Sequence, residues 1–361
     1  MQTKSASWQK PLLIALPFLA VLLISGCTWP GTTTTGGSGV VVKEFAPEFT
    51  SIYAGEPVTF RMLIKNEGSV DAINGFAELL GLDEDWCASQ TGAGIKSCDP
   101  SSGTNRPEKL PNEDACQYTN TNGFKLLAPD TQRGTQGGTQ ICTWTYKAPS
   151  IEKGFTIVYT PTVRTFYTYK SGVVKLITFG SSSELRTIQD TGGKLPTETV
   201  STTSGPVQLS IETKGPIRFW SEEENSVLLP LEITIKNVGG GIACAGSSTA
   251  YKTNSPNANT CRATAGETPK NKVRIKISFG TDTATVKKMT LSTECTDFET
   301  GKTISLWKGQ SNTIVCEVTA SGLSSGATIQ RMISVEAAYD YYTDTTSSIT
   351  VIGRKTTTST I

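Results

Sequence analysis

The chain has 361 residues, 37% of which are apolar, and a formal net charge of +1 at pH 7. It has no histidine, which excludes catalysis by serine–histidine or cysteine–histidine pairs and excludes histidine-ligated zinc. Its lysines and arginines are scattered and balanced by acids, which excludes the strongly basic surface of a nucleic-acid-binding protein.

The N-terminus has the three regions of a secretory signal peptide. Residues 1–10 carry two lysines and no acid, residues 11–24 are an unbroken apolar run, and two small residues precede Cys27. The apolar run is shorter than the about 20 residues of a membrane-spanning helix. We therefore predict a signal peptide over residues 1–26.

The sequence Ile-Ser-Gly-Cys that ends at Cys27 resembles the lipobox of bacterial and archaeal lipoproteins. In those proteins the signal peptide is removed before the cysteine, and the thiol is lipidated. The resemblance implies a lipid on Cys27 and a location on the outer face of the cell membrane. A plain signal peptide with an incidental cysteine and an uncleaved anchor are the alternatives. Residues 27–39 are rich in Thr, Gly and Ser, which predicts a flexible tether.

Eight further cysteines form two groups of four on either side of a cysteine-free stretch. They lack the short spacings of metal ligands, so in an exported protein they indicate two disulfides per group. Four cysteines allow three pairings, of which we favour the sequential one; free buried thiols are the alternative. The favoured pairs are Cys87–Cys98, Cys116–Cys142, Cys244–Cys261 and Cys295–Cys316.

The body of the chain is duplicated. Three pairs of segments match in the same order, 60–75 with 231–246, 141–146 with 315–320, and 161–180 with 333–353. Their nearly constant spacing indicates two tandem copies of one unit.

The copies predict two domains with a linker between them. The first domain covers 40–180, the second covers 206–353, and 354–361 is a tail. Residues 181–205 are rich in Ser, Thr and Gly and weakly apolar, which is typical of a linker. The alternative for this segment is an edge strand packed on one of the domains.

Apolar and polar residues alternate within each copy, as in residues 58–66, 231–237 and 273–279. Alternation with one apolar face is typical of antiparallel strands that bury one side. Two stacked sheets in each copy would bury such faces. The sequence therefore predicts an all-β protein with one β-sandwich per copy.

Each copy has a strand that ends in Ile-Lys-Asn-x-Gly, with the asparagine at Asn66 and Asn237. This ending resembles the CARDB and related immunoglobulin-like domains of bacterial and archaeal surface proteins. The resemblance implies two tandem immunoglobulin-like β-sandwich domains. Both copies are longer than CARDB domains, and the extra length lies in the cysteine-bearing stretches 83–140 and 244–272. We interpret these stretches as loop insertions held by disulfides.

Two sets of residues are candidate ligand-binding groups. Clustered acids suit calcium, which prefers several oxygen ligands; the candidates are Asp83, Asp85, Asp340 and Asp344, and solvated loop acid is the alternative. Exposed aromatic rings could form a sugar-binding platform, with burial in the core as the alternative. These rings are Trp86, Trp144, Trp220, Trp307, Tyr159, Phe166, Tyr167 and Tyr169.

Together these patterns predict a non-enzymatic, membrane-anchored cell-surface protein that binds or scaffolds through the loops 83–140 and 244–272. The expected partners are the membrane, through the N-terminal lipid, and a surface protein or polysaccharide. No nucleic acid and no cofactor are expected. One alternative is a homo-oligomeric filament or envelope lattice, in which the strand 39–45 adds to a neighbour's sheet. The other is an extracellular carboxylate-dependent hydrolase.

Overall fold

Alternating buried and exposed side chains run along most strands of this computed structural model. It describes residues 39–82, 86, 116, 123–194, 197–213, 215–219, 226–245, 261, 269–280, 288–321 and 328–354. The predicted signal peptide lies outside these residues, as do Cys27 and all of the tether but its last residue. Most described residues are in strands and only short helices occur, which confirms the all-β fold.

The strands are numbered in chain order. In the first repeat they are β1 (Val40–Pro47), β2 (Ser51–Tyr53), β3 (Pro57–Asn66), β4 (Ala72–Leu80), β5 (Phe124–Leu126), β6 (Thr139–Lys147), β7 (Thr156–Tyr159) and β8 (Thr162–Ser181). Helix α1 (Ser182–Asp190) and strand β9 (Val200–Thr202) follow. In the second repeat they are β10 (Val207–Glu212), β11 (Ile217–Phe219), β12 (Ser226–Asn237), β13 (Ile242–Cys244), β14 (Lys272–Phe279), β15 (Lys288–Leu291), β16 (Lys302–Ser305), β17 (Ser311–Ser321), β18 (Thr328–Thr346) and β19 (Ile349–Ile352), with helix α2 (Asp297–Thr300) after β15.

These strands form four sheets. Each repeat has one sheet of its own, in the order β1-β3-β6 in the first and β10-β12-β17-β15 in the second. A nine-stranded sheet follows the order β16-β14-β18-β8-β4-β5, with β9 and β11 also paired to β8 and β13 paired to β18. The fourth sheet has the order β2-β19-β7. The nine-stranded sheet and the β2-β19-β7 sheet therefore contain strands of both repeats.

The repeats meet along their two longest strands. Strands β8 and β18 are antiparallel neighbours throughout, from Thr162 opposite Thr346 to Gly180 opposite Thr328. Within this ladder Thr168 lies opposite Asp340, and these two residues are 172 positions apart, which is the offset between the repeats here. An antiparallel strand pair in which equivalent positions face each other has the two-fold geometry of a symmetric dimer. The chain thus folds as a pseudo-dimer of its own halves.

The last strand of each repeat also lies in a sheet of the other. The end of β8 pairs in parallel with β11, where Phe179 lies opposite Ile217. Strand β19, at the matching place in the second repeat, pairs in parallel with β2, where Thr350 lies opposite Ser51, and antiparallel with β7. Reciprocal exchange of an element is the arrangement of a domain-swapped dimer, here within one chain.

Residues 181–205, interpreted above as a linker, contain both α1 and β9. The Ser181 hydroxyl caps α1 by accepting from the Glu184 amide at 3.2 Å. Strand β9 pairs with β8 around Val174, and Lys175 lies 3.4 Å from Glu198 in an ion pair. The segment is therefore packed along β8. The limits 40–180 and 206–353 stay a prediction of where the repeats end, because the described residues belong to one compact unit.

The asparagine of each repeat closes the loop that follows its strand. Asn66 is fully buried. Its Nδ2 donates to the carbonyl oxygens of Val70 at 2.9 Å and Leu126 at 3.0 Å, while its Oδ1 accepts from the Gly68 amide at 3.0 Å. Asn237 makes the equivalent three bonds, with Gly241 in the place of Val70. The motif noted in the sequence is thus a side-chain bridge that satisfies backbone groups.

Tyrosines of the long strands contact the same loops. Tyr169 accepts at its hydroxyl from the Val70 amide at 3.1 Å, and Tyr341 accepts from the Gly241 amide at 2.8 Å. Tyr341 also donates to Asn237 Oδ1 at 2.8 Å. Since Val70 and Gly241 each lie four residues after the asparagine of their repeat, the two-fold relation extends from the strands to the loops above them.

We predict that Asn66→Ala lowers the free energy of unfolding by about 1–3 kcal/mol, because the buried carbonyl of Leu126 and the part-buried carbonyl of Val70 each lose a hydrogen-bond donor. Urea unfolding checks this. The control is Asn312→Ala, which removes an exposed bond from the Asn312 amide to the Ser305 carbonyl. A loss for Asn66→Ala no larger than for the control would contradict the prediction.

Candidate functional site

The nine-stranded sheet carries a charged pair on the face opposite to the one that bears Tyr169 and Tyr341. Arg164 on β8 and Asp344 on β18 form a bidentate ion pair, with Nε to Oδ1 at 2.7 Å and Nη2 to Oδ2 at 2.6 Å. Hydrogen bonding to Asp344 raises the pKa of Arg164 above its ordinary value. Both oxygens of Asp344, a predicted calcium ligand, are therefore bound to a guanidinium.

Asp340, another of the four calcium candidates, lies on the seam between the repeats, which is the antiparallel pairing of β8 with β18. It is 6% exposed, and its Oδ1 accepts from the Thr168 hydroxyl at 2.6 Å. Asp83 and Asp85 lie outside the described residues. Within the described part of the chain, no three or more Asp, Glu, Cys or His side chains gather where they could hold a metal ion.

Most of the candidate aromatic residues lie in the core. The buried rings are Trp86, Trp144, Tyr159, Phe166, Tyr167 and Tyr169, all at most 8% exposed. Trp220 lies outside the described residues. Trp307 is 75% exposed and is the one described member of the set that a ligand could reach. The core alternative describes these rings better than a sugar-binding platform does.

Three disulfides join described cysteines: Cys116–Cys142, Cys244–Cys261 and Cys295–Cys316. These are three of the four pairs in the sequential pairing, while Cys87 and Cys98 lie outside the described residues. The sulfur atoms are buried, and each bridge lies within one repeat. The covalent links described therefore hold each repeat together and do not join one repeat to the other.

Two of these disulfides fix the long insertions to the sheets. Cys116 lies between β4 and β5, is bonded to Cys142 of β6, and accepts at its carbonyl from the Ala77 amide at 2.9 Å. Cys261 lies between β13 and β14 and is bonded to Cys244 of β13. One residue inside each insertion is thus bonded to a strand of the sheets.

The position of the second insertion follows from the two-fold relation. Ile73 of β4 lies opposite Thr168, and Cys244 of β13 lies opposite the equivalent residue Asp340. In the first repeat, β4 continues past an irregularity at Asn74, whose φ is 54°. In the second repeat, β13 ends at Cys244, and the next strand that pairs with β18 on this side is β14, which begins at Lys272. Sequence reasoning missed this correspondence because the insertion separates the two halves of the strand.

Four tyrosines fill the centre of the core: Tyr167, Tyr169, Tyr339 and Tyr341, all at most 1% exposed. Neighbouring rings have centroids 5.7–6.3 Å apart. Burial disfavours the phenolate and raises the pKa of Tyr169 and of Tyr341 to about 12, and it raises the pKa of the other two as well. The hydroxyls of Tyr169, Tyr339 and Tyr341 are hydrogen bonded, whereas that of Tyr167 is buried without a hydrogen-bond partner among the described residues. Burial thus keeps the cluster neutral at ordinary pH.

Comparisons with known proteins yield no family. No protein-family model matches the chain, and no curated protein matches it. Among the described residues, no helix is both long enough and apolar enough to cross a membrane.

We predict that the protein unfolds in alkali as the central tyrosines ionise. Their pKa in the folded state is raised above the ordinary 10, so above that pH the folded protein binds more protons than the unfolded chain. Their contribution to stability is complete below pH 10 and is lost as the pH rises through about 12. Tyrosinate absorbance and circular dichroism, recorded together, should change in one step.

The matched variant is Tyr341→Phe, which keeps the ring and removes one titrating hydroxyl. It should weaken the dependence of unfolding on pH in the alkaline range, whatever its effect at neutral pH. Ionisation of the buried tyrosines with an unchanged circular dichroism spectrum would contradict the prediction.

Proposed function

We propose that the protein is a non-enzymatic surface protein, held to the outer face of the cell membrane by a lipid on Cys27, that binds a surface protein or polysaccharide through its two long insertions. In this proposal the strands of the repeats form immunoglobulin-like β-sandwiches like those of CARDB domains. The sheets serve as a rigid support, and the insertions within 83–140 and 244–272 provide the contacts.

The observation that carries the proposal is the attachment of both insertions to strands of the sheets by disulfides between buried cysteines. Cys116–Cys142 and Cys244–Cys261 each fix a point inside an insertion to the framework. Recognition in rigid scaffolds is commonly delegated to such loops, and a point of attachment lowers the entropy lost when a loop is ordered by its ligand.

The same disulfides support an extracellular location, because disulfides persist in oxidising compartments and are rare in the cytosol. The six described cysteines of these bonds are buried, which fits a structural role and not a redox role.

The structure favours binding over the filament alternative. In that alternative, the strand near 39–45 would pair with a neighbouring molecule. Here β1 pairs with β3 of the same chain from Val40 opposite Asn66 to Pro47 opposite Phe60. Val40 and Phe45 are also buried, so donating this strand would open the core.

The proposal predicts that the insertions can be shortened without loss of the fold but with loss of binding. Replacing residues 247–259 by a short Gly-Ser linker keeps Cys244 and Cys261 and should leave the thermal midpoint unchanged. Binding of the labelled protein to purified cell envelopes should weaken by at least about tenfold, which corresponds to about 1.4 kcal/mol.

The matched control replaces Glu152 and Lys153, which lie in an exposed turn before β7, by serines. This variant should bind as the original protein does. Equal binding by the shortened and original proteins, or equal loss in the control, would contradict recognition through the insertion.

A further inference from the structure

Three exposed apolar side chains lie beside the asparagine loops, which are residues 66–70 and 237–241. Trp307 is 75% exposed, Leu127 57% and Val238 42%. Val238 directly follows Asn237, and the other two lie in loops that are hydrogen bonded to Asn66 or Asn237. Exposed apolar groups gathered in one region indicate an interaction surface.

The turn that carries Trp307 is rigid. The Trp307 amide donates to the Ser311 carbonyl at 2.6 Å, and the Gln310 amide donates to the Trp307 carbonyl at 2.9 Å. Lys308 has a φ of 49°, and the Asn237 amide donates to the Gln310 carbonyl at 2.6 Å. The indole is therefore exposed on a fixed turn, where its burial against a partner would cost little backbone entropy.

The first repeat has a counterpart at the matching place. The Asn66 amide donates to the Gly138 carbonyl, and the Gly138 amide donates to the Leu127 carbonyl, both at 2.9 Å. Leu127 and Trp307 thus lie beside equivalent asparagines, one in each repeat.

The tether enters the folded body beside the two asparagine loops, in a region that we call the junction. The Gly39 carbonyl accepts from the Glu67 amide at 2.7 Å, and a Cβ on Gly39 would lie 2.7 Å from Pro206 Cδ. The Pro206 carbonyl in turn accepts from the Val238 amide at 2.8 Å. Residues 27–38 can extend to at most about 40 Å, so a lipid on Cys27 would keep this junction near the membrane.

We propose that this junction rests on the lipid bilayer, with Trp307 inserted among the headgroups. This inference rests on the lipid anchor of the proposed function and adds the orientation of the body on the membrane. Tryptophan prefers the membrane interface because its ring is apolar and its N–H is polar. Lys236 and Lys308 are exposed beside it and would attract anionic headgroups.

The test uses the full chain produced in a host that processes lipoproteins, reconstituted into vesicles of phosphatidylglycerol and acyl-brominated phosphatidylcholine. Bromine quenches a tryptophan that lies in the bilayer. All variants carry Trp29→Phe, because Trp29 is two residues from the lipid and would be quenched in any orientation. The quenched fraction of tryptophan fluorescence is compared with and without Trp307→Phe.

We expect the proteins to float with the vesicles and the quenching to disappear in Trp307→Phe. Phe155→Ser, which changes an exposed ring next to the β2-β19-β7 sheet, should keep the quenching. Flotation with equal quenching in the Trp307→Phe variant would overturn the inference and leave the anchor intact. Failure to float would overturn the anchor itself and the orientation that depends on it.

Discussion

The antiparallel pairing of β8 with β18 is the constraint on which the rest of the structure depends. It places Thr168 opposite Asp340 and so sets the two-fold relation between the repeats. The relation brings the four buried tyrosines together and positions the asparagine loops above them. It also carries the end of each repeat into a sheet of the other, so that one set of sheets supports both insertions.

The residues along this seam favour pairing between unlike repeats. Arg164 binds Asp344, and Thr168 donates to Asp340. If β18 paired with a second β18 in the same register, Asp340 would face Asp340 and Glu336 would face Asp344. Like charges directly opposite each other destabilise a strand pair. The side chains on β8 and β18 therefore favour pairing of the second repeat with the first repeat over pairing of two second repeats in a symmetric dimer.

The sequence predicted the strand content and the asparagine-ended strands, because alternation is a local property of a chain. The favoured sequential pairing also contains the three disulfides that the structure describes. The sequence did not predict that the repeats share sheets. Alternation decides which face of a strand is buried, but not which strand lies beside it. The roles of Thr168 and Asp340 were hidden for the same reason, since they meet across 172 residues.

Cleavage between the repeats tests the account most directly. A specific protease site placed at the exposed turn of Gly192 and Gly193, after α1, would cut the chain between halves that none of the described disulfides joins. Because the halves exchange strands, we predict that the cut fragments stay together in size-exclusion chromatography and unfold in a single transition. Two fragments that separate under native conditions and unfold independently would contradict the interlocked pseudo-dimer.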